Sequence, residues 1–222
     1  MSIKIHKIYL SPSCEIEIFH VNHHENDGFF PELLDFMDGH ETRRIKSLIH
    51  YKDKRSFVMT RYALKNILSE KIGIDFGCFS IISENGNKPV IDRDCEIYFN
   101  VSHSGSDGVI CISRKYNVGI DLEPHSSGVF CSELSDFVFN KKEYEFALSL
   151  LPEEREKFFL KCWTAKEAYC KLLGYGITEN FRNFEIVPNQ SSMTTRDGLS
   201  EIQLFWTDEV KNHCLCVAAR PV

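Results

Sequence analysis

The heptapeptide VGIDLEP, residues 118–124, alternates apolar and polar side chains and therefore predicts a half-buried β-strand. Its three apolar side chains would share one face, while Asp121 and Glu123 would share the other, about 6.6 Å apart. Two carboxylates at that distance repel by roughly 0.6 kcal/mol in bulk water and roughly 2.5 kcal/mol at an effective dielectric constant of 20. The pair therefore either lies on the solvent-exposed face of an amphipathic strand or binds a cation. The strand considered by itself favours the first interpretation. The absence of a side chain at Gly119 suggests room for an approaching ligand.

The patterns on either side of this strand predict an α+β protein made of two similar halves that join near residues 113–117. Helices are expected at 32–50, 54–71 (capped by Asp53 and ended by Gly73), 133–149 and 152–173. Strands are expected at 3–10, 14–21, 78–83, 96–102, 108–113, 116–122, 183–187, 201–206 and 213–219. A cleft between the halves would be the natural place for a ligand.

Composition narrows the class of protein. Hydrophobic residues make up 43% and charged residues 26%, which is ordinary for a soluble globular protein, and the net charge of −6 argues weakly against nucleic-acid binding. No apolar run approaches the roughly 20 residues that a membrane helix needs. The nine cysteines are odd in number and include no Cys-x-x-Cys, so they predict reduced thiols in a cytoplasmic protein.

A second segment, FFLKCWTAKEAYCKLLG at 158–174, predicts the end of a long amphipathic helix. Lys166 falls inside its apolar arc, whereas Glu167 lies at the margin of that arc and Lys171 lies one turn further. A Glu–Lys pair at this spacing is usually a solvated helix pair, but a lysine within an apolar arc calls for a partner or for a side chain that reaches out to solvent.

A third segment, NVSHSG at 100–105, ends a strand in a small polar loop with Ser102 and His103. Alone, it is most simply interpreted as a turn with a surface histidine. Together, the segments Asn-Val-Ser-His-Ser, Gly-Ile-Asp-x-Glu and Trp-Thr-x-Lys-Glu-Ala-x-x-Lys, in this order, resemble the 4′-phosphopantetheinyl transferase superfamily. The resemblance is to the large single-chain type, typified by the enzyme that activates surfactin synthetase, and it covers nearly the whole chain.

The resemblance implies an activity and an architecture. A Mg²⁺-dependent enzyme, with Mn²⁺ as an alternative ion, would transfer the 4′-phosphopantetheine arm of coenzyme A to a serine of an apo acyl, peptidyl or aryl carrier protein. It would release adenosine 3′,5′-bisphosphate and would serve fatty-acid, polyketide or nonribosomal-peptide biosynthesis. The fold would be a pseudo-dimer with the active site in the cleft. Residues 1–115 would form the nucleotide side and residues 116–222 would carry the metal-binding carboxylates, in a cytoplasmic monomer without nucleic-acid or membrane partners.

The resemblance also assigns roles to individual residues. The metal ligands would be Asp121, Glu123 and Glu167. The catalytic residues would be Glu167, which would accept the serine proton, with Asp121, Lys171 and His103. Coenzyme A would be bound by Arg43, Arg55, Ser56, Lys88, Ser102, His103 and Lys171. In the first half, the resemblance also fits Arg44 or Arg61 at these positions, and a solvated basic helix surface explains the segment equally well.

Other interpretations remain open at this stage. The same carboxylates would suit another metal-dependent phosphotransferase or hydrolase, and a non-catalytic module that binds coenzyme A or a carrier protein is a further alternative. Glu143, three residues after Asn140, is better explained by a helix-start box than as a ligand. Trp163 is interpreted as core packing that fixes the helix carrying Glu167.

Overall fold

The structure is a computed structural model, and it describes residues 3–10, 15–26, 28, 30–83, 88–125, 132–174, 181–186, 192–195 and 202–222. For residues 132, 133 and 192–195 it describes the backbone alone. The chain divides into two compact units, Met1–Arg114 and Lys115–Val222. Each unit combines an antiparallel sheet with helices, as an α+β fold does.

The first unit packs a long helix against a four-stranded sheet. Its strands are β1 (His6–Ile8), β2 (Glu17–Asn22), β3 (Ile81–Ile82), β4 (Val90–Ile91), β5 (Tyr98–Ser104) and β6 (Asp107–Ser113), and its helices are α1 (Phe30–Leu33), α2 (Gly39–Ser47) and α3 (Tyr51–Ile72). The main sheet has the order β1-β2-β6-β5, and β3 and β4 form a separate hairpin. Apolar residues of α3 pack on Ile110 and Ile112 of β6 and form the core of this unit.

The second unit repeats this plan with a five-stranded sheet. Its strands are β7 (Tyr116–Pro124), β8 (Phe184–Ile186), β9 (Ser192–Thr195), β10 (Ile202–Thr207) and β11 (His213–Pro221), and its helices are α4 (Ser132–Val138), α5 (Lys141–Ser149) and α6 (Pro152–Leu173). The sheet order is β7-β11-β10-β9-β8. Helix α6 lies across β7 and β11, and its apolar residues fill the core with Cys216 and Ala218.

Both units use the same device to bury a lysine. The capping box of α2 contains Glu41, which also binds Lys65 of α3 at 2.7 Å. The capping box of α5 contains Glu143, which binds Lys166 of α6 at 2.6 Å. Each of these two long helices has 22 residues and ends at a glycine with positive φ. Because a buried ammonium group needs a partner, the capping glutamate both starts one helix and anchors the next.

Three sequence predictions about helix boundaries were wrong. The predicted helix 32–50 is broken, because the carboxylate of Asp38 accepts hydrogen bonds from the backbone N–H of His40 and Glu41 and starts a new helix there. Helix α3 begins two residues before Asp53, which lies in its first turn rather than at its cap. The predicted helix 133–149 is divided in the same way by the capping box at Asn140.

Strands β4 and β9 were not predicted. All seven cysteines within the described ranges are free thiols, and five of them are buried. Over those same ranges, no helix is long and apolar enough to cross a bilayer.

Candidate active site

Gly119 determines how closely α6 approaches β7. A Cβ atom on this glycine would lie 2.0 Å from the carbonyl oxygen of Ala168 and 2.4 Å from the backbone nitrogen of Leu172. At the same contact, the side-chain amide of Asn117 donates to the carbonyl oxygen of Leu172 at 3.2 Å. The interpretation that Gly119 makes room for a ligand was therefore wrong, because the helix backbone occupies that space.

This contact places the polar face of β7 against α6. The ammonium of Lys171 donates to Oδ1 of Asp121 at 2.6 Å, and the indole N–H of Trp163 donates to Oε1 of Glu123 at 3.1 Å. The predicted alternation of β7 is confirmed, since Asp121 and Glu123 both meet α6. Asp121 is only 3% exposed, so the interpretation of a wet strand face does not hold for it.

Glu167 lies beside these two carboxylates on α6. It is 8% exposed, and its Oε1 is buried without a hydrogen-bond partner among the described residues. Burial, followed by the negative charge of Asp121, raises the pKa of Glu167 to about 7, while Lys171 acts in the opposite direction. Burial and Asp121 also raise the pKa of Glu123. The three acidic groups therefore share one secluded environment that is short of positive charge.

The oxygen ligands of this group suit a hard divalent cation, because Mg²⁺ prefers carboxylate oxygens and no described residue donates a hydrogen bond to the buried Oε1 of Glu167. In the present side-chain positions, however, no three His, Cys, Asp or Glu side chains of the described chain form a group that could hold a metal ion. The predicted convergence of three carboxylates on one point is thus not seen. Lys171 engages Asp121 and Trp163 engages Glu123 instead.

Lys166 has a structural role. It is fully buried, and its ammonium donates to Oε2 of Glu143 and to the carbonyl oxygen of Val138, both at 2.6 Å. Glu143 also accepts from the backbone N–H of Ile186 at 2.7 Å and completes its capping box. The assignment of Glu143 to a helix-start box is confirmed.

Sequence reasoning missed the polar role of Trp163. Its ring packs near Phe159 and Phe181, as a core residue should, but its N–H fixes the carboxylate of Glu123. The only sign in the sequence was that Trp163 lies one helical turn before Glu167, which is at the margin of the apolar arc.

The first unit has a comparable close contact at Gly108. A Cβ atom there would lie 2.3 Å from Oγ1 of Thr60 on α3 and 3.1 Å from Nε2 of His23. His103 is the cross-strand partner of Gly108, so its side chain emerges on the face of the sheet that α3 covers. Ser56 lies one helical turn before Thr60, and its buried hydroxyl has no hydrogen-bond partner within the described ranges.

The electrostatics of His23 show that charged groups surround this contact. Burial lowers the pKa of His23 to about 4; the positive charges of Arg55, His103 and His20 act in the same direction, and Asp107 opposes them. Arg55 and His103 therefore lie near the same buried imidazole. Together with Ser56, they are three of the predicted coenzyme A residues gathered at one end of the first sheet.

The remaining predicted residues of the first unit lie elsewhere. Ser102 pairs with Val109 and points to the opposite face of the sheet, the face that also carries the side chain of Cys111. Lys88 interacts with Cys111, and burial lowers the pKa of Lys88 to about 8. Arg43 is exposed on α2 and makes no hydrogen bond or ion pair with another described residue.

The two alternative arginines also differ in placement. Arg44 is exposed on α2, whereas Arg61 is 10% exposed and lies 3.7 Å from Oε1 of Glu41. Arg61 is therefore part of the buried charge network that includes Lys65.

A cavity of about 380 Å³ in the second unit lies between α4, α5 and the segment before β8. Its lining residues are Asp136, Phe139, Asn140, Lys141, Tyr144 and Arg182. None of these residues belongs to the predicted site, whereas the acidic group of β7 and α6 brings three carboxylates into one secluded environment.

Comparisons with known proteins identify the family. Residues 117–218 match the family model of the 4′-phosphopantetheinyl transferase superfamily, and residues 25–115 match a model described as 4′-phosphopantetheinyl transferase, N-terminal. The chain belongs to this superfamily of enzymes. The first model spans the whole acidic group of β7 and α6, and the second spans Arg55, Ser56 and His103.

Three similar phosphopantetheinyl transferases illustrate the range of the superfamily. HetI from Nostoc sp. is 29% identical over 170 residues, which are 75% of this chain and 72% of the relative. Sfp from Bacillus subtilis is 23% identical over 193 residues, which are 87% and 80%. The transferase psf-1 from Bacillus pumilus is 28% identical over 152 residues, which are 68% and 61%.

Proposed function

We propose that this protein transfers the 4′-phosphopantetheine group of coenzyme A to a serine of an apo carrier protein, with Mg²⁺, and releases adenosine 3′,5′-bisphosphate. The observation that carries the proposal is the acidic group of Asp121, Glu123 and Glu167 with Lys171, which the β7–α6 contact gathers in one secluded place. This group lies within the part of the chain that matches the superfamily model.

Asp121, Glu123 and Glu167 would hold the cation, Mg²⁺ or Mn²⁺. The ion would supply charge neutralisation for the diphosphate of coenzyme A. Lys171 now contacts Oδ1 of Asp121 at 2.6 Å and would leave it in the complex with coenzyme A. The ammonium of Lys171 would then bind a phosphate oxygen, so the same movement frees a carboxylate and places a cation at the diphosphate.

Glu167 would accept the proton of the attacking serine hydroxyl. Its position supports this role, because it is secluded from solvent and one of its oxygens has no hydrogen-bond partner within the described ranges. Trp163 and Asn117 would act indirectly: the first orients Glu123, and the second joins β7 to α6.

Arg55, Ser56 and His103 would bind phosphate oxygens of the nucleotide. This assignment is supported by their shared location at the Thr60–Gly108 contact and by the buried hydroxyl of Ser56, which has no hydrogen-bond partner among the described residues. Arg43, Lys88 and Ser102 remain proposed contacts to coenzyme A that rest on the family resemblance. The pseudo-dimeric architecture with its active site in the cleft, the monomeric state and the cytoplasmic location are proposals of the same kind.

Intact-mass spectrometry of apo carrier proteins tests the activity. The purified protein, coenzyme A and Mg²⁺ should add one phosphopantetheine mass to an acyl, peptidyl or aryl carrier, but not to a carrier whose acceptor serine is alanine. Asp121→Ala should abolish the addition. Asp208→Ala should not, because that carboxylate is 76% exposed and lies outside the site.

The same reactions separate the alternatives. Phosphate-ester turnover without any carrier modification would favour a different phosphotransferase or hydrolase. Binding of coenzyme A without modification of any carrier would favour a non-catalytic module. Either result would refute the transfer proposal.

A further inference from the structure

The buried pair His23 and Thr60 has no role in the function proposed above. His23 lies just beyond the end of β2, and its backbone N–H donates to the carbonyl oxygen of Ser106 at 2.8 Å. Its side chain is 2% exposed, and its Nε2 lies 3.2 Å from the hydroxyl of Thr60. The imidazole thus joins the end of the sheet to the middle of α3.

Gly108 makes this junction close. The place of its missing side chain is filled by the Thr60 hydroxyl and the His23 ring, at 2.3 Å and 3.1 Å from the point that a Cβ atom would occupy. A side chain at this residue would push α3 away from β6. The contact therefore sets the spacing between α3 and the β5–β6 hairpin.

That spacing matters because the proposed phosphate ligands come from both sides of it. Arg55 and Ser56 belong to α3, within about one and a half helical turns of Thr60. His103 belongs to β5 and stands directly opposite Gly108. A shift of α3 would thus change the distance between Arg55 and His103.

We infer that His23, through Thr60, is a positioning residue that holds α3 and β5 at the spacing at which Arg55 and His103 bind the same nucleotide phosphates. The inference rests on the proposed function, since it names a support for the nucleotide half of that site. His23 itself would not contact the ligand, because its side chain is only 2% exposed.

The charged groups around residue 23 favour a neutral side chain at this position. Arg55, His103 and His20 surround His23 with positive charge, and Asp107 is the acidic group that faces it. Asp107 in turn accepts hydrogen bonds from Asn22 at 2.9 Å and contacts His20 at 2.7 Å. A positively charged side chain at residue 23 would be repelled by Arg55, whereas a neutral imidazole can form the hydrogen bond to Thr60 without this repulsion.

The test compares variants that differ by one hydroxyl. Thr60→Val keeps the shape of the side chain and removes its hydroxyl, whereas Thr60→Ser keeps the hydroxyl. His23→Leu removes the other partner. His24→Leu is the matched control, because His24 is the exposed neighbour of His23. Each full-length variant is titrated calorimetrically with adenosine 3′,5′-bisphosphate, and its thermal unfolding is measured in parallel.

Loss of the hydrogen bond should weaken binding of the bisphosphate about fivefold in Thr60→Val, since one hydrogen bond contributes on the order of 1 kcal/mol. Thr60→Ser and His24→Leu should bind within about twofold of wild type. In the transfer assay, Thr60→Val should raise KM for coenzyme A and leave kcat within about twofold.

A purely structural role would lower the unfolding temperature of Thr60→Val and leave its dissociation constant unchanged, and that result overturns the inference. If His23→Leu fails to fold, Thr60→Val still decides. Failure of wild type to bind the bisphosphate would refute the coenzyme A proposal and the inference with it. Equal binding by wild type and all folded variants would refute only the inference.

Discussion

Gly119→Ala tests whether the approach of α6 to β7 assembles the active site. The added Cβ would lie 2.0 Å from the carbonyl oxygen of Ala168, whereas ordinary van der Waals contact begins at 3.4 Å. Helix α6 would therefore have to withdraw by about 1.4 Å at this point. The opposing atoms are helix backbone, so no side-chain rotation relieves the clash.

Two effects of this withdrawal can be estimated. Overpacking of this kind destabilises a fold by about 1–3 kcal/mol, which a domain of ordinary stability survives at low temperature. The catalytic effect should be of similar size in free energy, because 100-fold in rate corresponds to about 2.7 kcal/mol. Glu167 and Lys171 move with α6 relative to Asp121, and a displacement of about 1 Å costs on the order of 100-fold in rate.

The assay is the rate of carrier modification at 15 °C, combined with circular dichroism to establish the folded fraction. Gly77→Ala is the control, because a Cβ at that position meets nothing within 4 Å. We expect a rate about 100-fold below wild type for Gly119→Ala and a wild-type rate for Gly77→Ala. A folded Gly119→Ala protein with a rate within twofold of wild type would refute the reasoning.

Three further predictions concern individual side chains. Trp163→Phe keeps an aromatic ring but removes the N–H that fixes Glu123, so kcat should fall about tenfold with KM for coenzyme A unchanged; an unchanged kcat would show that this hydrogen bond is irrelevant. Lys166→Met leaves the carboxylate of Glu143 buried without its cation and should cost about 3–5 kcal/mol in urea unfolding, and adding Glu143→Gln should recover part of the loss; a double variant no more stable than the single one would contradict this. His23 has a pKa of about 4 when folded, below its ordinary 6.5, so the unfolded chain takes up its proton first. Stability should therefore be fully present above pH 6.5 and fall by up to about 3 kcal/mol towards pH 4, and His23→Gln should flatten that slope in unfolding measured across this range; an equally steep slope in the variant would assign the effect to other groups.

The alternation of apolar and polar residues was sufficient to predict the polar face of β7. Strand alternation separates Asp121 from its apolar neighbours, and helical spacing places Glu167 and Lys171 on one side of α6. Neither the strand periodicity nor the helix periodicity indicates which element packs against a given face of a strand. This is why Gly119 was assigned to a ligand, although it is the backbone of α6 that fills the space.

Two helix boundaries were missed although their causes are present in the sequence. Asp38 with Glu41 matches the spacing of a capping box, which the prediction of one helix over 32–50 did not take into account. Asn140 with Glu143 was recognised as such a box, and yet the helix was drawn through it. In each unit the glutamate of the capping box also pairs with a buried lysine more than 20 residues away. This is a tertiary contact, and no local sequence pattern predicts it.

The predicted coenzyme A residues show a similar limit. A motif fixes the order of residues along the chain, but Ser102 and His103 are adjacent in a strand and so point to opposite faces of the sheet. Arg55 and Ser56 could be placed near His103 only after the contact between Thr60 and Gly108 was known.

The central claim is that Asp121, Glu123 and Glu167 gather around one divalent ion that also holds the diphosphate of coenzyme A. Anomalous diffraction from crystals grown with Mn²⁺ and coenzyme A tests it most directly. The account predicts a single strong peak coordinated by oxygens of all three carboxylates and of the diphosphate, with Lys171 moved from Asp121 to a phosphate oxygen. Bound coenzyme A with Lys171 still on Asp121, and with the manganese peak away from these carboxylates, would contradict it.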